Sequence, residues 1–401
     1  MERNVPKLRF KGFNDEWEEK KLGSMGKALI GLTYSPDNIS DKENGLLVLR
    51  SSNIKDGHLN YNDNVYVNMP VKDDIRVRKN DILLCSRNGS KALIGKSALI
   101  DSDINATFGA FMTVIRANNG KFINQLINTR EFFRQINMNL GATINQITSS
   151  NLNNFKFKVP SHQEQERIAN FLTKVDKIIE KQEEKVKNLE NYKKGMMQKI
   201  FSQEIRFKDE NGNEYPEWED KRIGDIFIEI NEKTSIKNQY EVLSSTSTGL
   251  FKQSEYFNRE IASEDNTGYK ILRKKQIVLS PQNLWLGNIN YNNKYETGIV
   301  SPSYKIFNVV ENILPQFIAY IIKLDRMLYE YKQASEQGAS VVRRNLNMDL
   351  FNDIVIKIPC YREQSRITAY LNNIDVILEK EKNKLEELKQ WKKGLLQQMF
   401  V

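Results

Sequence analysis

Two polar loops hold the side chains with the most suggestive chemistry. The apolar run Ile82-Leu83-Leu84-Cys85 follows Arg78-Lys79 and leads into Ser86-Arg87-Asn88-Gly89-Ser90-Lys91. A second run, Ile277-Val278-Leu279-Ser280, follows Arg273-Lys274-Lys275 and leads into Pro281-Gln282-Asn283-Leu284-Trp285. Arginine can pair bidentately with guanine, and asparagine or glutamine with adenine. Arg87, Asn88, Gln282, Asn283, Arg343 and Arg344 are therefore the leading candidates for contact with base edges, with Ser90 and Trp285 beside them. Lys79, Lys91, Lys96, Lys274 and Lys275 suit phosphates, which position a protein on nucleic acid without specifying sequence. The plainer reading of each residue is an ordinary solvated loop side chain.

Conventional catalytic patterns fail one by one. Gly95-Lys96-Ser97 resembles the end of a phosphate-binding loop, but the required first glycine falls on Ser90. The flanking Ala92-Leu93-Ile94 and Ala98-Leu99-Ile100 read as strand, not as the start of a helix. No Gly-x-Gly-x-x-Gly follows a strand, so a dinucleotide fold is unsupported. An Asn/Asp-Pro-Pro-aromatic tetrapeptide of the kind amino-methyltransferases use is missing. Asp73-Asp74 lies in a polar turn. Two histidines (His58, His162) and two cysteines (Cys85, Cys360) leave no room for a His-rich metal site, a disulfide framework or a conventional triad.

The 401 residues suggest two to three domains, and 39% apolar content is enough to build their cores. No run approaches a membrane span of about 18 apolar residues. The first residues lack the apolar stretch of a secretory leader, so the expected location is cytoplasmic. Net charge is +9, a balance that favours nucleic acid as a partner. Residues 1–160 carry 23 basic and 16 acidic side chains, and residues 202–359 carry 20 and 22.

An internal repeat organises the elements that would position these loops. Glu164, Gln165, Arg167, Ile168, Leu172 and Asp176 recur as Glu363, Gln364, Arg366, Ile367, Leu371 and Asp375, an offset of 199 that runs without a gap to Phe201 and Phe400. A second match lies ahead of each globular region. Arg9-Phe10-Lys11 recurs as Arg206-Phe207-Lys208, and Glu16-Trp17-Glu18 as Glu217-Trp218-Glu219. The repeat is circular, because the continuation missing after Phe400 stands at the N-terminus as Leu8-Arg9-Phe10.

In residues 161–201, apolar positions step alternately by four and three from Ile168 to Ile200, with Gln182 and Lys193 filling two of them. The second copy runs from Ile367 to Met399, with Glu381 and Lys392 in those places. This 3.5-residue period predicts two coiled-coil helices packed antiparallel on each other, each spanning roughly 60 Å. Ser161-x-x-Glu164 reads as a capping box. Residues 122–138 and 315–331 read as amphipathic helices within the globular regions. The expected fold is α+β: two mixed α/β globular domains linked by two long helices in a pseudo-twofold circular repeat.

At this point the chain resembles the specificity subunits of type I restriction–modification systems. The resemblance rests on the duplicated Pro-x-x-x-Glu-Gln-x-x-Ile-x-x-x-Leu, Pro160 to Leu172 and Pro359 to Leu371. Two differing heads and two similar helical spacers complete it. It implies target-recognition domains at 1–159 and 204–358, with helical spacers at 160–203 and 359–401. Each head would read one half of a split site in double-stranded DNA, and the helices would fix the gap. The chain itself would not be an enzyme. Two copies of an adenine-N6 methyltransferase subunit, and motor-nuclease subunits, are the implied partners, with no membrane involved. S-adenosylmethionine, ATP and Mg would be bound by those partners and not by this chain. Glu164, Gln165 and Arg167 with their copies Glu363, Gln364 and Arg366 are expected to be exposed and to dock the methyltransferases, beside the seam residues Ile168, Leu172, Ile367 and Leu371. The competing reading is a stand-alone DNA-binding regulator with two heads on a coiled coil.

Overall fold

The computed structural model describes residues 5–141, 144–256, 265–337 and 344–401. Its contacts form two compact units. One comprises Met1–Glu184 with Lys382–Val401, the other Lys185–Glu381. The two long helices, His162–Phe201 and Tyr361–Met399, each contribute to both units.

The first unit is built around the run Ile82–Cys85. Alternate side chains of a strand point to opposite faces. Ile82 and Leu84 enter a core shared with helices, while Leu83 and Cys85 enter a second core, and all four are fully buried. The strand is therefore covered on both sides, and burying each of its leucines stabilises the head by about 2 kcal/mol. It lies third in an antiparallel sheet of order Gly26–Ile30, Met112–Ala117, Ile82–Cys85, Ser97–Leu99. The other core lies against a sheet of order Ala106–Phe108, Leu46–Leu49, Val65–Val67, Ile39–Ser40, whose first pair is parallel.

The second unit repeats the first sheet in the same order: Phe227–Ile230, Lys305–Val309, Ile277–Leu279, Ile289–Tyr291. Ile277 and Leu279 face its helical core and Val278 the opposite, smaller one. Beyond that sheet the heads part company. The second has a hairpin, Leu243–Thr246 with Gly249–Lys252, and a separate pair, Lys270–Arg273 with Thr297–Val300.

Each expected amphipathic helix proves to be two. The first divides into Gly120–Leu126 and Arg130–Asn139, the second into Pro315–Ile321 and Asp325–Gln333. Thr129 makes the first break: its hydroxyl donates to the Leu126 carbonyl at 2.7 Å and accepts from the Phe132 amide at 3.4 Å. One side chain thus closes a helix and caps the next, which periodicity alone does not reveal.

Within each unit, part of one long helix packs antiparallel on part of the other. Asp176 pairs with Lys392 at 2.5 Å and Glu183 with Lys389 at 2.7 Å in the first unit. Asp375 pairs with Lys193 at 2.5 Å and Glu381 with Lys185 at 2.7 Å in the second. Three of the polar residues interrupting the apolar seam, Lys193, Lys392 and Glu381, are thus accounted for by ion pairs. Polar seam positions of this kind select one register of a coiled coil over its neighbours.

The circular repeat is visible bond by bond. The Leu8 amide donates to the Gln398 carbonyl at 2.8 Å, as the Ile205 amide does to Lys199 at 3.1 Å. Trp17 meets Phe400 edge-on at 6.2 Å, and Trp218 meets Phe201 at 6.3 Å.

Candidate nucleic-acid interface

The loop after Ile82–Cys85 is fixed from three directions. The Phe111 carbonyl accepts from the Ser86 amide at 3.1 Å, the Arg87 amide at 3.0 Å and the Ser86 hydroxyl at 3.1 Å. The Ile147 amide donates to the Ser86 carbonyl at 2.8 Å, and the Asn88 amide to the Asn145 carbonyl at 3.2 Å. Gly95, at φ +88°, returns the chain, and its amide donates to the Cys85 carbonyl at 2.9 Å. A side chain there would meet the Phe133 ring at 3.0 Å as well as the strained backbone. Ser97–Leu99 is a strand, so no helix follows Gly95-Lys96-Ser97 to receive a phosphate.

The candidates on this loop separate by what their side chains do. Arg87 is exposed, with its guanidinium 4.8 Å from the centre of the Phe111 ring. Phe111 is itself 58% exposed, and sequence reasoning missed it. Asn88 serves the loop's architecture: its amide nitrogen donates to the Ser51 hydroxyl at 3.3 Å and its oxygen accepts from the Ser90 amide at 3.0 Å. Lys96 reaches the Ser51 carbonyl at 3.5 Å, while Ser90 and Lys91 are exposed. Cys85 lies beneath the loop, and burial pushes its thiol up from the ordinary range.

In the second head, Gln282 is exposed and Asn283 is half-buried, its side chain donating to the Ser280 hydroxyl at 3.4 Å. Gly287, at φ +83°, closes the turn Leu284–Leu286. The Lys323 ammonium holds the Gly287 carbonyl at 3.2 Å and the Ser247 carbonyl at 3.3 Å. Trp285 is half-buried, and its indole nitrogen has no hydrogen-bond partner among the described residues. Arg344 places its guanidinium 5.3 Å from the Trp285 ring centre. Arg343 lies outside the described residues.

The lysines ahead of each strand do not join these loops. Lys79 and the pair Lys274-Lys275 sit in turns that enter Ile82–Cys85 and Ile277–Leu279, whereas the candidate loops leave them. A strand of four residues separates its flanks by roughly 13 Å. Lys274 is also paired with Glu296. Lys275 and its counterpart Asn80 both adopt φ +70°, which marks them as turn formers.

The residues expected to dock partners are corrected more sharply. Glu164 and Glu363 are 1% and 0% exposed. Both carboxylate oxygens of Glu164 accept from Arg9 at 2.8 Å, so Glu164 does not reach back to cap its own helix. Glu363 accepts from Arg206 at 2.9 Å and from the Trp218 indole at 3.1 Å. The carboxylates hold both guanidiniums above their usual pKa. Gln165 and Gln364 donate to the carbonyls of Pro160 and Pro359 at 3.0 and 2.9 Å, and Gln364 also accepts from the Leu314 amide at 2.8 Å. The Glu-Gln motif therefore ties the leading segment and the head to the start of each helix. Ile168, Leu172, Ile367 and Leu371 are buried in the same cores. Arg167 and Arg366 alone of the set are exposed; Arg167 lies 5.5 Å from the Phe10 ring centre and Arg366 3.7 Å from Glu210.

Among the described residues, no group of three or more His, Cys, Asp or Glu could hold a metal ion, and no helix is long and apolar enough to cross a membrane.

Comparison with known proteins accounts for the repeated frame. The chain is 23% identical over 227 residues to the type I restriction enzyme StySPI specificity subunit of Salmonella potsdam, an alignment covering 53% of this chain and 48% of that one. The chain thus spans about half the length of that relative. It is also 23% identical to the putative type I restriction enzyme MjaX specificity subunit of Methanocaldococcus jannaschii, over 98% of this chain and 95% of the other. The fold matches the crystal structure of a type I restriction–modification S subunit from M. genitalium with a TM-score of 0.58 at 17% identity, over 99% of both chains. The family model for the type I restriction modification DNA specificity domain matches twice, at residues 14–191 and 215–390, and the chain belongs to that family.

Proposed function

We propose that this chain is the non-catalytic, DNA-reading subunit of a type I restriction–modification complex, each head reading one half of a bipartite site. One observation carries the reading. The two heads share a frame whose junction bonds recur, Leu8 to Gln398 as Ile205 to Lys199 and Arg9 to Glu164 as Arg206 to Glu363, while their exposed loops differ in residue type. A frame kept constant around differing loops is what two recognitions of unrelated short sequences require. The long helices set the gap between the half-sites. Two copies of an adenine-N6 methyltransferase dock on the duplicated helices, and motor-nuclease subunits join them. S-adenosylmethionine, ATP and Mg belong to those partners. The test is a genome-wide map of N6-methyladenine in the host with and without the gene. One split motif, two short halves around a fixed gap, is expected to lose methylation on deletion; an unchanged map from a host with active partner subunits would reject the reading.

Exposed apolar residues support docking of two copies of one partner. Ile178 and Ile377 are 49% and 48% exposed, and Tyr192 and Trp391 are 52% and 46% exposed. Each pair stands at the repeat offset of 199. Isolated exposed apolar residues are common, but recurrence at equivalent positions of a repeat favours a use common to both. The double variant Ile178→Asp/Ile377→Asp is expected to fold normally and to lose co-purification of the methyltransferase by tenfold or more, on the order of 1.4 kcal/mol. Undiminished assembly would move the docking surface elsewhere.

A further inference from the structure

We propose that the base-reading edge of each head is a pair of segments, the loop leaving the central strand and the stretch ahead of the capped helix, and that its guanine reader is an arginine laid on an aromatic ring: Arg87 on Phe111 in the first head and Arg344 on Trp285 in the second. The proposal rests on the DNA-reading function above and assigns its specificity to particular side chains.

In the first head, the loop leaving Ile82–Cys85 lies against the segment ahead of the helix Ser149–Asn154. Arg87 and Gln146 form an antiparallel bridge, and the Asn145 side chain donates to the Gly89 carbonyl at 3.0 Å. Thr148 caps that helix, accepting from the Asn151 amide at 3.1 Å. In the second head, Asn347 is the corresponding cap at the repeat offset, accepting from the Asp349 and Leu350 amides at 3.0 and 3.2 Å. By the same offset Arg344 stands where the first head has Asn145, and Arg344 meets Trp285 on the loop leaving Ile277–Leu279. The same two segments therefore touch in both heads, although in the second Arg344 opens a short strand, Arg344–Leu346, that pairs with Ser335–Gln337. The contact is Asn145 on Gly89 in one and Arg344 on Trp285 in the other. This is a place where the repeat keeps its architecture and changes its chemistry, as a specificity site must.

The arginine–aromatic pairs give the edge its reading group. A guanidinium lying on a ring keeps its five N–H donors in one plane, directed outward, while the ring restricts its rotamers. Less side-chain entropy is then lost when the fork closes on the two acceptors of guanine. Arg87 is further fixed because its own amide donates to the Phe111 carbonyl at 3.0 Å, so ring and arginine are anchored at one point. That anchoring gives a use to Phe111, an aromatic side chain left 58% exposed. Asn88, by contrast, spends its side chain on Ser51 and Ser90 and is not a base reader.

The test compares methylation motifs from hosts expressing the intact complex with wild-type chain, Arg87→Ala, Arg87→Lys, Phe111→Ala or Arg344→Ala. Arg87→Ala is expected to relax a single G·C position in one half-site, lowering discrimination there roughly 10- to 100-fold, with the other half unchanged. Arg87→Lys should behave like Arg87→Ala, since a point charge cannot replace the fork. Phe111→Ala should relax the same position more weakly. Arg344→Ala should relax one G·C position in the opposite half. Motifs identical to wild type, or a uniform loss of methylation at all sequences, would overturn the assignment, the latter marking phosphate contacts. A wild-type complex with no split motif would instead reject the DNA-reading function itself.

Discussion

Replacing Glu363 with alanine is expected to destabilise the second unit by about 3 kcal/mol or more. The carboxylate is fully buried and accepts from Arg206 and from the Trp218 indole. Without it, a guanidinium only 20% exposed keeps the carbonyls of Tyr215 and Pro216 and the exposed Glu217 at 3.4 Å, but loses its buried counter-ion. Leaving one partner of a buried pair uncompensated costs more than the pair contributes when intact. Glu363→Gln keeps an acceptor for the indole and should lose less, about 1–2 kcal/mol. Glu164→Ala is the matching change in the first unit. There the Trp17 indole has no hydrogen-bond partner among the described residues, so one fewer bond is broken and the loss should be smaller. The measurement is a urea titration of each variant, with Arg206→Met and the double variant completing a cycle. A Glu363→Ala midpoint equal to that of wild type would show that the carboxylate contributes nothing net.

Inserting one heptad into both long helices at once is expected to abolish methylation at the original split motif and to create a new one, with the same halves and a wider gap. The points chosen are Glu184–Lys185 and Glu381–Lys382, where the two compact units meet along the chain. Seven residues add about 10 Å of helix, equivalent to roughly 3 base pairs of duplex at the spacing of 34–36 Å per turn. A heptad returns every seam residue to the same face, so the ion pairs Asp176–Lys392 and Asp375–Lys193 can re-form. An insertion in one helix alone shifts that helix against the other and should leave little folded protein. If the double insertion methylated the original motif, the helices would not set the gap.

The frame was legible in the sequence because its contacts were duplicated along with it. Arg9 and Arg206, Glu164 and Glu363, and Trp17 and Trp218 recur at nearly constant offset, since each partner requires the other. The 3.5-residue period found the helices because a seam must keep facing its partner. What the sequence concealed was burial of charge. Glu164 reads as an exposed residue on a helix start, and only the recurrence of an arginine upstream in both copies could have signalled its partner. The site was partly legible. Arg87, Trp285 and Arg344 stood out by type, but Phe111 lies 24 residues beyond Arg87, and no spacing rule connects residues that meet only through sheet order. Lys79 and Lys274 lie apart from those loops for the converse reason: neighbours in sequence are held apart by the strand between them.

The bond from Leu8 to Gln398 repeats the bond from Ile205 to Lys199, although the second pair stands six positions apart along the chain and the first pair 390. One junction therefore forms without the short local link that the other possesses. It follows that a short peptide link is dispensable to the junction's geometry. A permuted chain, opened between Phe201 and Ile205 and joined from Phe400 to Leu8 through a few residues, would keep the Leu8–Gln398 and Trp17–Phe400 contacts with the two heads encoded in reverse order.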